Sequence, residues 1–137
     1  MSVLDDNVCD MCEDDLLDGV LIAESLQPEA ELDRLDLTVT RIVRSTSGTR
    51  SPDQPKTWTL LYFQAPAESA PALAETFAGA LQPTGGWYVD WNAGADKYVV
   101  FAGQIFHYPR SDQAGHAAAV AHGRSVGVPE PQLDWGR

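Results

Sequence analysis

Residues 86–108 read GWYVDWNAGADKYVVFAGQIFHY, and this stretch predicts a three-stranded antiparallel meander. In residues 87–92 the side chains Trp, Val and Trp alternate with Tyr, Asp and Asn, and a period of two is that of a β-strand. Residues 93–96 have the small and polar composition of a hairpin turn. Residues 98–101 therefore return beside the first strand, and a second tight turn sends residues 105–108 back again.

Strand periodicity also sorts the meander into two faces, because paired residues on neighbouring strands share a side of the sheet. One predicted face holds Trp87, Val89, Trp91, Tyr98, Val100, Ala102, Ile105 and His107. The other holds Tyr88, Asp90, Asn92, Val99, Phe101, Phe106 and Tyr108. Both faces are rich in aromatic rings, so both need cover from water.

The remaining elements flank this meander. The β-branched residues 37–43 and the run 57–63 predict two strands with a polar loop between them. Apolar residues at three- and four-residue steps predict a helix from a Ser69 cap to Leu81. A second helix is predicted to begin at a Ser111 cap and to use Ala114, Ala117, Ala118, Ala121 and Val126. The short apolar segment 20–23 is compatible with either a strand or a helix.

Strands grouped in this way, with helices between and after them, favour an α+β fold. We expect an antiparallel sheet of about five strands in the order ββαβββα, with two helices packed on one face. The chain has 137 residues, which suits one domain. We therefore divide it into an acidic N-terminal arm, residues 1–18, and a single α+β domain, residues 19–137.

Charge is distributed unevenly along the chain. Residues 1–36 contain twelve acidic side chains against one arginine, whereas residues 37–137 contain equal numbers of each sign, and the formal net charge is −11. Phosphate backbones and anionic lipid surfaces repel such a protein, so we expect neither nucleic acid nor membrane as a partner. An acidic arm is also compatible with a solvated tail, or with a decoy or regulator of a basic partner.

The start of the chain has neither the basic region nor the apolar run of a secretory signal, so we expect a cytoplasmic protein. Cys9 and Cys12 are the two cysteines of the sequence. A zinc site needs four ligands, and no second cysteine pair accompanies these two. We predict no metal site and no cofactor.

Surplus aromatic surface on the meander is the feature that points to function. Two modest helices cover one side of such a sheet, so the other side requires the fold, a second copy of the chain, a ligand or a partner protein. The predicted binding residues are Tyr88, Phe101, Phe106 and Tyr108 as apolar walls, with Asp90 as a polar anchor. We expect a non-enzymatic domain that binds a small ligand or a protein, with self-association to a homodimer as a further option.

A small enzyme is the alternative. Asp90 and His107 are its candidate catalytic residues, since a histidine that titrates near neutral pH can exchange protons with a neighbouring carboxylate. This alternative requires the two side chains to meet within hydrogen-bond reach.

Overall fold

The structure is a computed structural model, and it describes residues 16–46 and 54–133 of the chain. Its strands are β1 (Leu16–Ile22), β2 (Thr38–Thr46), β3 (Thr57–Pro66), β4 (Val89–Ala93), β5 (Asp96–Phe101) and β6 (Gln104–Pro109). Its α-helices are α1 (Ala70–Ala78) and α2 (Gln113–Ser125). The strands form one six-stranded sheet in the order β2-β3-β1-β4-β5-β6, and every neighbouring pair is antiparallel.

One face of the sheet, here called the α1 face, is covered by helix α1. A row of paired residues crosses all six strands on this face: Val39, Phe63, Gly19, Trp91, Tyr98 and His107. The Phe77 ring of α1 lies 5.9 Å from the Phe63 ring and 6.0 Å from the Trp91 ring. These aromatic contacts form the centre of the larger hydrophobic core.

Gly19 is the small member of that row. A Cβ atom at this position would lie 2.5 Å from Cζ of Phe63. The Phe63 side chain is buried and makes edge contacts with both Phe77 and Trp91. Glycine is therefore required here for the close approach of the ring to the backbone.

The opposite face, here called the α2 face, is covered at the meander by helix α2 and by the segment that follows it. Val99, Phe101 and Tyr108 are buried there together with Ala119 of the helix and with Val128 and Leu133 beyond it. A Cβ atom at Gly115 would lie 2.6 Å from Cβ of Tyr108. The small residues Gly115, Ala119 and Gly123, spaced four apart, let α2 approach the sheet closely.

The predicted alanine stripe of α2 is wrong. Its members Ala114, Ala117, Ala118 and Ala121 are exposed, whereas Ala119 and Gly123 are the buried residues of the helix. The physical reason is that the bulky rings of the sheet already fill the interface, so the residues that face them must be small. Asp112, not Ser111, caps this helix by accepting hydrogen bonds from the backbone N–H groups of Ala114 and Gly115.

The α+β class and the antiparallel sheet are confirmed, with three corrections. There are six strands instead of about five, because residues 20–22 of the segment 20–23 belong to β1, and the order is βββαβββα. The helices pack on opposite faces instead of one, because the meander carries aromatic rings on both faces and each face needs its own cover. Residues 16–18 of the predicted arm lie in β1, where Leu17 is fully buried.

Residues 1–15 of the predicted arm, with both cysteines, lie outside the described residues. Among the residues that are described, no helix has the length and apolar character needed to span a bilayer.

Candidate binding surface

The predicted aromatic binding residues belong to the core of the domain. Phe101 and Tyr108 are 2% and 6% exposed, so they do not wall an open cleft. The Phe101 ring packs 4.6 Å from the His122 ring of α2, and the Phe106 ring packs 5.4 Å from it. Helix α2 thus covers the face on which the sequence predicts a pocket.

Tyr88 is tied to the C-terminal segment. Its hydroxyl group donates a hydrogen bond of 3.1 Å to the carbonyl oxygen of Gln132. Burial raises the pKa of this hydroxyl, and the nearby carboxylate of Asp90 raises it further. The side chain therefore stays protonated and acts as a fixed donor that holds the segment against the sheet.

Asp90 has a partner that sequence reasoning did not identify. The Nζ atom of Lys97 lies 2.6 Å from Oδ2 of Asp90, and the lysine side chain is 5% exposed against 30% for the aspartate. A buried ammonium group requires a counterion, so Asp90 compensates the charge of Lys97. The arrangement is that of a structural ion pair on the α2 face.

His107 lies on the other side of the sheet. Its ring stacks on the Tyr98 ring at 4.1 Å, and its Nε2 atom lies 2.7 Å from Oδ2 of Asp96. Because residue 107 pairs with Tyr98 and residue 90 pairs with Val99, His107 and Asp90 project from opposite faces. The predicted acid–base pair of Asp90 and His107 is therefore not formed, and the enzymatic alternative loses the geometry that it requires.

Exposed apolar surface lies instead at the β2 edge of the sheet. Among the residues that the structure describes, β2 pairs with β3 on one side and with no strand on the other, so it forms one edge of the sheet. Its nine residues, TVTRIVRST, are largely β-branched. Within the described ranges, the exposed large apolar side chains are Val39 and Ile42, which are 45% and 63% exposed.

A β-bulge divides this strand. The pairing shifts between Val39 and Arg41, and Thr40 donates a side-chain hydrogen bond to the carbonyl oxygen of Tyr62. From Arg41 to Thr46 the pairing with β3 is regular. These six residues therefore present an unbroken run of backbone N–H and C=O groups at the edge. The bulge interrupts this run on the N-terminal side of Arg41.

An apolar groove adjoins this edge on the α1 face. The chain between β1 and β2 passes over the sheet and forms with it an open groove of about 300 Å³. Its walls carry only apolar side chains: Leu21, Leu26, Ala30, Leu32, Leu35, Leu37, Val39, Leu61 and Phe63. Val39 belongs both to the groove and to the edge strand, so the two features form one surface, here called the β2 edge surface.

The same strand carries positive charge on both faces. Arg41 projects on the α2 face, where its guanidinium group lies 5.0 Å above the Tyr62 ring. Arg44 projects on the α1 face, opposite Thr59. Each arginine has an apolar neighbour on its own face, Val43 beside Arg41 and Ile42 beside Arg44.

Glu24 binds β3 through Thr59 and interacts electrostatically with Arg44. Its carboxylate accepts hydrogen bonds of 2.7 Å from the backbone N–H group and 2.9 Å from the hydroxyl group of Thr59. Burial acts to raise the pKa of this carboxyl group, but the hydrogen bonds from Thr59 and the charge of Arg44 lower it overall. The Glu24 carboxylate is therefore held near the start of β3 as an anion.

The sequence contained one signal of this surface. Residues 37–43 predict a strand from their β-branched side chains, but alternation in such a strand does not show whether its edge is paired. Edge status depends on which strand lies next to it, and that is a property of the whole sheet.

Within the described ranges, no group of three or more His, Cys, Asp or Glu side chains is placed to hold a metal ion. Comparison with family models, with curated proteins and with solved structures found no match to this chain.

Proposed function

We propose that this chain is a non-enzymatic protein-binding domain that takes up an extended segment of its partner along β2. The observation that carries the proposal is the β2 edge surface, where exposed Val39 and Ile42 lie beside an apolar groove. Addition of a strand to an open sheet edge supplies affinity through backbone hydrogen bonds, and pockets for alternate side chains supply specificity.

The two edges of the sheet differ in a way that supports this choice. β6, the opposite edge strand, has six residues and ends at Pro109, which has no N–H group to donate. β2 has nine residues and no proline. A partner strand therefore finds more backbone donors and acceptors at β2 than at β6.

A small apolar ligand is the second candidate, and the groove is the observation that favours it. A cavity of about 300 Å³ lies at the lower end of the size range of ligand sites. Its walls offer no polar side chain to orient a ligand, whereas the adjacent strand edge offers a row of backbone groups. We therefore place the protein partner first, and we propose that the complex forms in the cytoplasm.

The test is selection of binding peptides from a random dodecapeptide library displayed on phage, with the whole chain as the target. Amide hydrogen exchange then maps where a selected peptide binds. We expect slower exchange within residues 41–46, because the amides of this run that point away from β3 gain hydrogen-bond partners. Protection at β6 or at α2, with none in residues 41–46, would contradict the proposal.

A matched pair of variants completes the test. Ile42→Lys replaces the exposed apolar side chain at the centre of the edge surface with a charge and is expected to weaken peptide binding about fivefold or more, because a paired strand loses an apolar cross-strand contact there. Ala121→Lys places the same charge on an exposed position of α2 and serves as the control. Equal binding by the two variants would place the site elsewhere.

A further inference from the structure

We infer that the partner segment is acidic, with two carboxylates three residues apart and two apolar residues between them. This inference rests on the proposed function and adds the chemistry of the partner. It is carried by the charge of β2, which has two arginines and no acidic residue in a chain of net charge −11. Among the described strands, β2 is the one with a net positive charge.

The spacing follows from the register of β2. Arg41 and Arg44 are three residues apart and project on opposite faces, on either side of Ile42 and Val43. A strand paired with residues 41–44 presents its own side chains to these same faces in turn. Carboxylates opposite the two arginines are then three residues apart, and the two residues between them meet Ile42 and Val43. The motif acid-apolar-apolar-acid results, whichever way the partner strand runs.

Charge also argues against a second copy of β2 as the occupant. Antiparallel pairing of two β2 strands brings four guanidinium groups into one two-stranded ribbon, and neither strand supplies a carboxylate. Like charges opposite one another destabilise a strand pair. An acidic segment converts the same positions into attractive contacts.

The net negative charge of the chain does not prevent this contact. At physiological ionic strength, interactions between exposed charges fade beyond about 8 Å, so groups in contact with the partner dominate. Arg41 and Arg44 are both exposed, and the carboxylate of Glu24 is held by Thr59. Arg41 and Arg44 are therefore the charged side chains of β2 that a strand paired at residues 41–44 contacts, and the Glu24 carboxylate lies close enough to Arg44 to interact with it.

Three synthetic nonapeptides test the inference with the whole chain. All have threonine flanks, and their centres are Glu-Val-Val-Glu, Glu-Glu-Val-Val and Lys-Val-Val-Lys. The first two have equal charge and composition, so only the spacing of the carboxylates differs. Fluorescence anisotropy is expected to show binding of the first peptide about fivefold tighter than the second and about tenfold or more tighter than the third, since each exposed ion pair contributes modestly.

Charge reversal supplies the matched control. Arg41→Glu with Arg44→Glu is expected to lose the preference for the Glu-Val-Val-Glu peptide and to gain binding of the lysine peptide, whereas Arg110→Glu, at an exposed position beyond β6, keeps the wild-type order. Equal affinities of the three peptides for the wild-type chain, with protection of residues 41–46, would overturn the inference and leave the proposed function standing. Failure of every peptide to protect residues 41–46 would count against both.

Two other outcomes would identify a different occupant. A dimer by light scattering that dissociates in Ile42→Lys would assign the edge to a second copy of the chain and overturn the inference. Competition by a single-stranded oligonucleotide as strong as that by the Glu-Val-Val-Glu peptide would show that negative charge alone is recognised, with the same consequence. Neither dimerisation nor oligonucleotide competition is expected.

Discussion

Replacement of Gly19 by alanine tests the packing of the hydrophobic core on the α1 face of the sheet. The new Cβ atom would lie 2.5 Å from Cζ of Phe63, where ordinary van der Waals contact needs about 3.4 Å or more. The ring must therefore move by about 1 Å. It is enclosed by Phe77 at 5.9 Å and Trp91 at 6.4 Å between ring centroids, so this movement disturbs the core.

Overpacking of this kind costs typically 1–3 kcal/mol, and the closeness of the clash places Gly19→Ala at about 2 kcal/mol or more. For a chain of this size, that corresponds to a fall in melting temperature of roughly 6–10 °C. Urea unfolding followed by tryptophan fluorescence measures the free energy, since Trp91 is buried at the centre of the affected cluster. Differential scanning calorimetry gives the melting temperature independently.

Gly79→Ala is the matched control. Gly79 has a φ of −83° at the end of α1, and a Cβ atom there meets its nearest neighbours at 3.7 Å, an ordinary contact. The substitution is expected to be neutral, or to stabilise by up to about 1 kcal/mol through the unfolded state. A Gly19→Ala variant as stable as wild type would refute the reasoning. So would an unchanged cost of Gly19→Ala in a Phe63→Leu background, where the clashing ring atom is absent.

Two further predictions concern ionised groups in the fold. Glu24→Gln is expected to cost about 1–2 kcal/mol at pH 7, because it removes the charge that accepts two hydrogen bonds from Thr59. Since the folded state lowers the pKa of Glu24, its stabilisation is present above the unfolded pKa and is lost as the pH falls through the folded pKa. Urea unfolding at pH 7 and at about pH 3 should show the difference from wild type shrinking; a constant difference would contradict this assignment. Asp90→Asn leaves the buried Lys97 without its counterion and is expected to cost about 2 kcal/mol, whereas Asp96→Asn, in the exposed pair with His107, should cost less than about 1 kcal/mol by the same assay. Equal costs for the two variants would argue against burial as the cause.

The ion pair of Asp90 and Lys97 could not be predicted from the sequence. The two residues are seven apart in sequence, on adjacent strands, and nothing in their spacing shows that the lysine is buried. That burial is decided by the tertiary packing of the domain, where Lys97 is 4% exposed. A carboxylate that resembles a catalytic or ligand-binding residue in the sequence is thus engaged in neutralising a charge inside the fold.

Local sequence determined much of the meander. Its alternation and its two turns predicted the faces of the paired strands, and the observed pairs of Val89 with Val100, Trp91 with Tyr98 and Val99 with Phe106 confirm that register. Trp87 precedes β4, and its ring packs 5.7 Å from the Trp58 ring instead of following the strand alternation. This succeeds because a hairpin is a short-range structure: the turn length fixes the register, and the register fixes which side chains share a face.

Tertiary structure alone decided how those faces are covered and which of the described strands lie at the edges of the sheet. The small residues Gly115, Ala119 and Gly123 of α2 give no hydrophobic stripe, yet they permit its approach to the second face of the meander. Likewise, the sequence of β2 predicts a strand without showing that it ends the sheet order. Both facts depend on contacts between residues distant in the chain, and the periodicity of a single segment records only which of its own side chains are apolar.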